Sequence, residues 1–378
     1  MAIRLVHLID ESTREDAARL CSLLLTRLPA SEVSQRVIAL GALPDTLTVP
    51  AQIPTVAAGR PLTWPFLSAL PLQRRLRRDQ PDVIIAWSAI ACACAASARS
   101  DGRPAIGVLC DPADARESTR WRSALVKAAV SGFEIICTST TVQRRLVESG
   151  TPVEATAVVR PGVDFAALRR ARETMSRDQL DLPPDARVML TASPPSRAGG
   201  QFYGIWATAI LHHIWPDAVL VVPGTSREQR RLGRLVEGLY NRQSYRLTAD
   251  RFSPAELLSV ADALLVPALG DVAPGWLAWA MAAGVPVIGS AVPSVAEFIT
   301  DDHNGFLCKS SEPHALAVRI RTAFESPDVM AQCVQNARHQ AYEAFRAERC
   351  VEEFLKVIRN AAGGRTALAG VQDAAIDA

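Results

Sequence analysis

Short apolar runs alternate with longer amphipathic segments along nearly the whole chain. The runs at residues 3–9, 36–40, 82–87, 105–109, 134–137 and 156–159 are too short for helices and carry few polar interruptions. A strand covered by helices on both faces of a parallel sheet reads this way. Between them, segments such as 14–28, 65–78 and 140–148 have the three- and four-residue apolar spacing of amphipathic helices. The pattern predicts repeated strand–helix units feeding a parallel sheet.

At Arg160-Pro161-Gly162-Val163-Asp164 this rhythm pauses, and a charged helical stretch runs to residue 185. A second series follows, with strands at 187–192, 218–222, 245–247, 263–266 and 286–288 and helices at 201–214, 227–240, 254–260 and 275–283. Beyond Phe306 the pattern is almost all helical, over 313–324, 328–345 and 347–360. The expected division is a first domain at 1–164, a second at 165–345, a last helix at 346–360 and a mobile Gly- and Ala-rich tail at 361–378. A length of 378 residues agrees, since it fits two domains of about 150 to 200 residues with a cleft between them.

Hydrophobic residues make up 49% and charged residues 21%, the balance of a globular protein. The net charge of +2, from 41 basic and 39 acidic side chains, argues against nucleic acid as the main partner. The eight cysteines include no CxxC pair of zinc-site spacing and read as reduced, buried thiols. Cys92 and Cys94 form a CxC that either packs or binds a metal; packing is expected, and no metal is assigned. The first residues become acidic at once and contain no secretory apolar run, and no stretch approaches the 18 to 20 residues of a bilayer span. The expected location is the cytoplasm.

Several motifs carry a family resemblance through their order and intervals. Pro161-Gly162-Val163-Asp164 comes first, followed by SPAELLSVADALLVPAL at 253–269, AMAAGVPVIGS at 280–290, Glu297 and Asn304-Gly305-Phe306. Together they resemble the family-four glycosyltransferases, strongest over about residues 161–324. The resemblance implies the GT-B fold: α/β, two Rossmann-like, doubly wound parallel-sheet domains facing a central cleft. It implies transfer of a sugar, with retention of configuration, from a nucleotide-sugar donor to a glycan or lipid-linked acceptor. It calls for no cofactor and no metal, and it implies that the last helix returns to the first domain.

Such chemistry needs cations and helix amides to neutralise a departing phosphate, and groups that orient the sugar. The family commonly places an Arg and a Lys in the loop after the second domain's first strand. Those positions here are Ser193 and Ala198, with Arg197 adjacent; Arg197 either grips the diphosphate or is a solvated loop arginine. Backbone amides around Gly199 and Gly275 are expected to support the phosphates, with Gly200 in the same implied donor site. The family's two acidic positions, seven residues apart, fall on Asp271 and Trp279. Asp271 either orients a donor hydroxyl or is an exposed loop residue beside a helix start. Trp279 offers no acceptor oxygen for a ribose. With Trp276 on the same helical face it either stacks on the donor or packs in the core, and packing is favoured. Ala273, Pro274, Gly275 and Glu297 complete the implied donor site.

The first domain departs too. In place of a Gly-rich turn it has Asp10-Glu11-Ser12-Thr13, which reads as a Ser or Thr helix cap. Cys110 occupies the position of a frequent catalytic His, with Asp111 beside it; Asp10, Glu11, Trp87, Cys110 and Asp111 form the implied acceptor side. His7 is expected in the core, and His212, His213 and His303 give no acid–base pair. The cluster Arg74-Arg75-Leu76-Arg77-Arg78 either touches anionic lipid headgroups at the inner membrane face or is a solvated helix end. A transferase with an altered donor pocket leads. The alternative is a noncatalytic relative that partners an active transferase.

Overall fold

The computed structural model describes residues 2–59, 65–98, 102–113, 119–130, 132–192, 194–249 and 251–371. They fall into two compact units: the chain up to Gly162 together with the segment from Ala347, and Val163–Arg346.

The first unit is built on seven parallel strands, β1 (Ile3–Asp10), β2 (Val33–Leu40), β3 (Thr55–Ala57), β4 (Val83–Ala86), β5 (Ala105–Leu109), β6 (Glu134–Cys137) and β7 (Thr156–Val158), in the order β3-β2-β1-β4-β5-β6-β7. Helices α1 (Glu15–Arg27), α2 (Pro65–Asp79), α3 (Ala89–Ala98), α4 (Thr119–Val130) and α5 (Thr140–Glu148) connect them. The three-residue β3 and the Ala-rich α3 were not anticipated. Helix α3 is buried on nearly every side, Cys92 and Cys94 included, so it has no polar face to set a period. The thiols among the eight cysteines form no disulfide.

The second unit has helix α6 (Phe165–Thr174), strands β8 (Arg187–Thr191), β9 (Ala218–Pro223), β10 (Tyr245–Thr248), β11 (Ala263–Val266), β12 (Val287–Ser290) and β13 (Phe306–Cys308), in the order β10-β9-β8-β11-β12-β13. Its other helices are α7 (Gln201–Leu211), α8 (Arg227–Glu237), α9 (Pro254–Val260), α10 (Gly275–Ala283), α11 (Pro293–Ala296), α12 (Pro313–Glu325) and α13 (Pro327–Ala344). One core packs α6, α9, α10 and α13 on one side of the sheet, and another packs α7, α8 and α12. Both sheets are parallel and helix-covered, the α/β architecture that the alternating pattern implies.

Helix α14 (Ala347–Ala362) belongs to the first unit. Its Phe354 and Ile358 enter the core with β1 and β4, and Arg359 pairs with Glu32. Residues 361–371, set apart above as mobile tail, are packed on that unit. Ala361 and Ala367 are buried, the Asn360 amide donates to the carbonyls of Ala367 and Ala369, and the Leu368 amide donates to Glu134. A Gly/Ala composition hides such anchoring because backbone groups supply half of each bond. The rest of the tail lies outside the described residues.

A buried polar relay runs through the first core. Trp87 Nε1 donates to His7 Nδ1 at 3.1 Å, and His7 Nε2 faces Gln35 Oε1 at 3.1 Å. This arrangement fixes the neutral tautomer with the proton on Nε2. Burial lowers the His7 pKa from 6.5 to about 4. The unfolded chain therefore binds a proton that the native state refuses between those values. Stability is complete above pH 6.5 and falls as pH drops toward 4, by about 3 kcal/mol from this one group. Urea unfolding of wild type and His7→Phe at pH 7 and 4.5 checks this: over that interval the variant's loss on acidification should be about 2.4 kcal/mol smaller, and equal losses would refute it.

Candidate functional site

In a doubly wound sheet, neighbouring strands whose connections leave in opposite directions open a crevice at their C-terminal ends. In the second unit these strands are β8 and β11. The loop after β8 and the loop after β11 are fastened there, because the Leu269 amide donates to the Ala198 carbonyl at 2.7 Å. Gly200 makes the contact possible. It has φ 65° and ψ 21°, and a Cβ there would stand 1.9 Å from the Pro267 carbonyl oxygen.

Residues 196–201 form a self-bracing turn. Ser196 Oγ accepts from the Gly199 amide, Gln201 Oε1 accepts from the Ser196 amide, and Gln201 Nε2 donates to the Ala192 carbonyl. The amides of Gly199 and Gly200 are thereby used inside the loop, the latter on the Ser196 carbonyl. Among the described residues the amides of Arg197, Ala198, Gln201 and Phe202 have no acceptor, the last two lying in the first turn of α7. Arg197 is exposed and has no ion-pair or hydrogen-bond partner among the described residues. Ser193 lies outside them.

Asp271 is buried, with Oδ1 shut off from solvent, which corrects the reading of an exposed loop residue. The N-cap position of α10 is Pro274. The strand of loop around it is held by Ser294, whose hydroxyl accepts from the Val272 amide at 2.9 Å. Ala273, Pro274 and Gly275 lead directly into α10, a second helix start on the same sheet edge. Trp276 is a core residue, so it cannot stack on a ligand; its buried Nε1 finds no partner among the described residues. Trp279 is half-buried against the same core. Glu297 is half-buried at the end of α11.

The equivalent edge of the first unit is closed by its own side chains. Asp10 is fully buried, and its carboxylate accepts from the Ser12 amide at 2.6 Å, the Ser12 hydroxyl and the Ser88 hydroxyl. Thr13 Oγ1 accepts from the Asp10 amide, and Arg14 takes the cap position of α1, so neither Ser12 nor Thr13 caps that helix. Trp87 stacks between His7 and Phe354 and is core, not acceptor surface. Cys110 is buried. Asp111 is half-buried, 3.7 Å from the Arg14 guanidinium, and accepts from the Ala113 amide. Glu11 is exposed.

Asp10→Ala should cost about 2 to 3 kcal/mol, because it strands two hydroxyls and an amide in the loop. Chemical denaturation measures this; unchanged stability would mean that the carboxylate is kept for a ligand instead.

Among the described residues no group of three or more His, Cys, Asp and Glu could hold a metal ion. A cavity of the first unit, about 530 Å³, opens at the opposite, N-terminal ends of β1 and β2, lined by Arg4, Arg36, Gln35 and Asp79. It lies at the opposite end of that unit's sheet from Asp10 and Cys110. Residues missed by sequence reading are Ser196, Gln201 and Ser294, which hold the two loops and have only ordinary turn chemistry to mark them.

Residues 17–167 match the family described as Glycosyltransferase Family 4, and residues 173–340 match Glycosyl transferases group 1. The chain belongs to the family-four, GT-B glycosyltransferases. Among curated relatives of this family, N-acetyl-alpha-D-glucosaminyl L-malate synthase of Bacillus anthracis is 28% identical over 138 residues, 36% of each chain. D-inositol 3-phosphate glycosyltransferase 1 of Catenulispora acidiphila is 28% identical over 228 residues, 57% of this chain and 54% of that protein. The matched stretches thus span about a third to a half of these relatives. The crystal structure of Anabaena HepE in complex with UDP and glucose superposes with a TM-score of 0.78 at 20% identity, covering 94% of this chain and 99% of that one. WaaG, a glycosyltransferase involved in lipopolysaccharide biosynthesis, gives 0.73 at 18% identity, covering 93% and 99%. These likenesses establish the GT-B fold of this family member.

Proposed function

We propose that the chain transfers a sugar from a nucleotide-sugar donor to a glycan or lipid-linked acceptor with retention of configuration. The observation that carries this reading is the fastened pair of loops at the β8/β11 crevice. It sets an unpaired Arg197, the free amides of Gln201 and Phe202, Asp271 and the start of α10 on one sheet edge.

The bond from the anomeric carbon to the diphosphate oxygen breaks, and a bond to an acceptor oxygen forms on the same face. The acceptor's proton passes to the departing phosphate. Arg197 and the α7 amides take up the charge that grows on that phosphate. Asp271 holds a sugar hydroxyl, and Gly275 and Glu297 border the donor. The chain's own groups suffice for these roles, so no resident metal or cofactor enters the proposal. Transfer from radiolabelled or fluorescent donors, with the product's anomeric configuration read by NMR, tests the reading; an inverted product would refute it.

A second reading, a noncatalytic partner of an active transferase, is favoured by two observations. Trp279 has no acceptor oxygen where the resemblance puts a carboxylate, and Asp10 fills the first unit's edge with internal hydrogen bonds. Co-purification with a transferase without any nucleotide binding would support it.

A further inference from the structure

Helices that cover a sheet normally turn a charged or polar face to water. Helix α7 has none: the sequence GlnPheTyrGlyIleTrpAlaThrAlaIleLeu contains no charged residue. Its outward positions are Phe202, Trp206 and Ile210, continued by Ile214 just past the helix end, and all four are between 37% and 50% exposed. They recur every four residues, so they form one line, and Phe202 meets Trp206 edge-on at 6.2 Å. Single exposed hydrophobics need no explanation, but a continuous aromatic and aliphatic line does.

The neighbouring helices supply the context. Helix α7 packs between α8 and α12. On α8, Arg227, Arg230, Arg231 and Arg234 are exposed at spacings of three and four, hence on one face. Glu228 lies 3.4 Å from Arg231, and the other three arginines form no ion pair among the described residues, although Glu237 is exposed one turn beyond Arg234. Tyr240, wholly exposed, follows. Helix α12 adds the exposed Val318.

We propose that this face of the second unit, the α7 line with the α8 arginine row beside it, docks on an anionic lipid surface. Trp, Phe and Tyr rings suit the headgroup level, where an apolar body and a polar tip are both accommodated. Arginine stems lie along apolar surface while their guanidinium groups reach phosphates. A second copy of this chain fits less well. A two-fold axis across the helices sets arginine row against arginine row. One along the helices sets it over α12, whose exposed side chains are His314, Val318, Arg321, Thr322 and Glu325, with a single acid. The charge asks for an anionic occupant. The α2 cluster differs: Arg75 is tied to Asp79, and Leu70 is its single exposed large apolar side chain among those described.

The test is co-sedimentation of the full chain with vesicles of phosphatidylcholine, with and without phosphatidylglycerol, in the absence of any nucleotide. Binding should require phosphatidylglycerol and weaken with salt. Phe202→Ser with Trp206→Ser, and separately Arg230→Glu with Arg234→Glu, should each weaken it at least about tenfold. Arg74→Glu with Arg77→Glu should leave it unchanged. The arginines are exposed, so melting temperatures of their variants should hold; Phe202 and Trp206 are 45% and 38% exposed, so their double variant is compared at a temperature where its melting curve shows it folded. Equal binding to phosphatidylcholine alone, wild-type binding by the α7 and α8 variants, loss in the α2 variant, or a stable dimer closed over this face by sedimentation velocity would each overturn the proposal. No donor enters the assay, so the outcome is independent of the transfer reading.

Discussion

Gly200→Ala is expected to destabilise the second unit by about 4 kcal/mol, close to the whole stability of many domains. Two costs add. The backbone at Gly200 is left-handed, which a Cβ tolerates poorly, and that Cβ would stand 1.9 Å from a backbone oxygen that cannot swing aside. The loops after β8 and β11 would have to part, and with them the Leu269–Ala198 hydrogen bond. Gly199→Ala is a milder control, because its Cβ would meet the movable Gln201 amide at 2.8 Å. Urea midpoints followed by tryptophan fluorescence measure both. A loss below about 1 kcal/mol for Gly200→Ala would show that the close approach is not rigid.

Arg197→Ala is expected to lower kcat/KM for sugar transfer about a hundredfold while leaving the melting temperature of the free protein unchanged. The side chain is exposed and makes no contact that folding needs, so its removal should act on the phosphate alone. A preorganised cation on a developing charge is worth roughly 3 kcal/mol, which converts to that factor. Lysine should recover part of the loss as a point charge without the two-pronged grip. A variant with wild-type kcat/KM would make Arg197 a solvated loop residue.

The alternation of apolar runs and amphipathic segments carried most of the architecture, because parallel strands buried on both faces have no polar positions to blur them. It missed α3, where Ala and Cys surround the helix on all sides, and β3 and β13, whose three residues are too few to show a period. The site was legible as positions but not as orientations. Trp87 and Trp276 sit at element ends where a ring could face a ligand or the core, and only the packing shows both in the core. Of the two readings of Asp271, the exposed loop residue followed from Asp usually being at the surface, yet the side chain is buried in a loop braced by Ser294. The Gly199 amide donates to Ser196, and a Gly-Gly turn does not say which hydroxyl will find it. Conversely, the apolar line on α7 was hidden by that helix's uniform hydrophobicity, which reads as complete burial.

The central claim is that the β8/β11 edge is a working donor site. It is tested most directly by thermal shifts of the full chain with UDP, GDP, ADP and their common sugars, wild type beside Arg197→Ala. A ligand at about a hundred times its Kd adds roughly 2.7 kcal/mol to the state that binds it. The expected result is a raised melting temperature with one base and its sugars, diminished in the variant. No shift with any nucleotide, or equal shifts in both proteins, would contradict it.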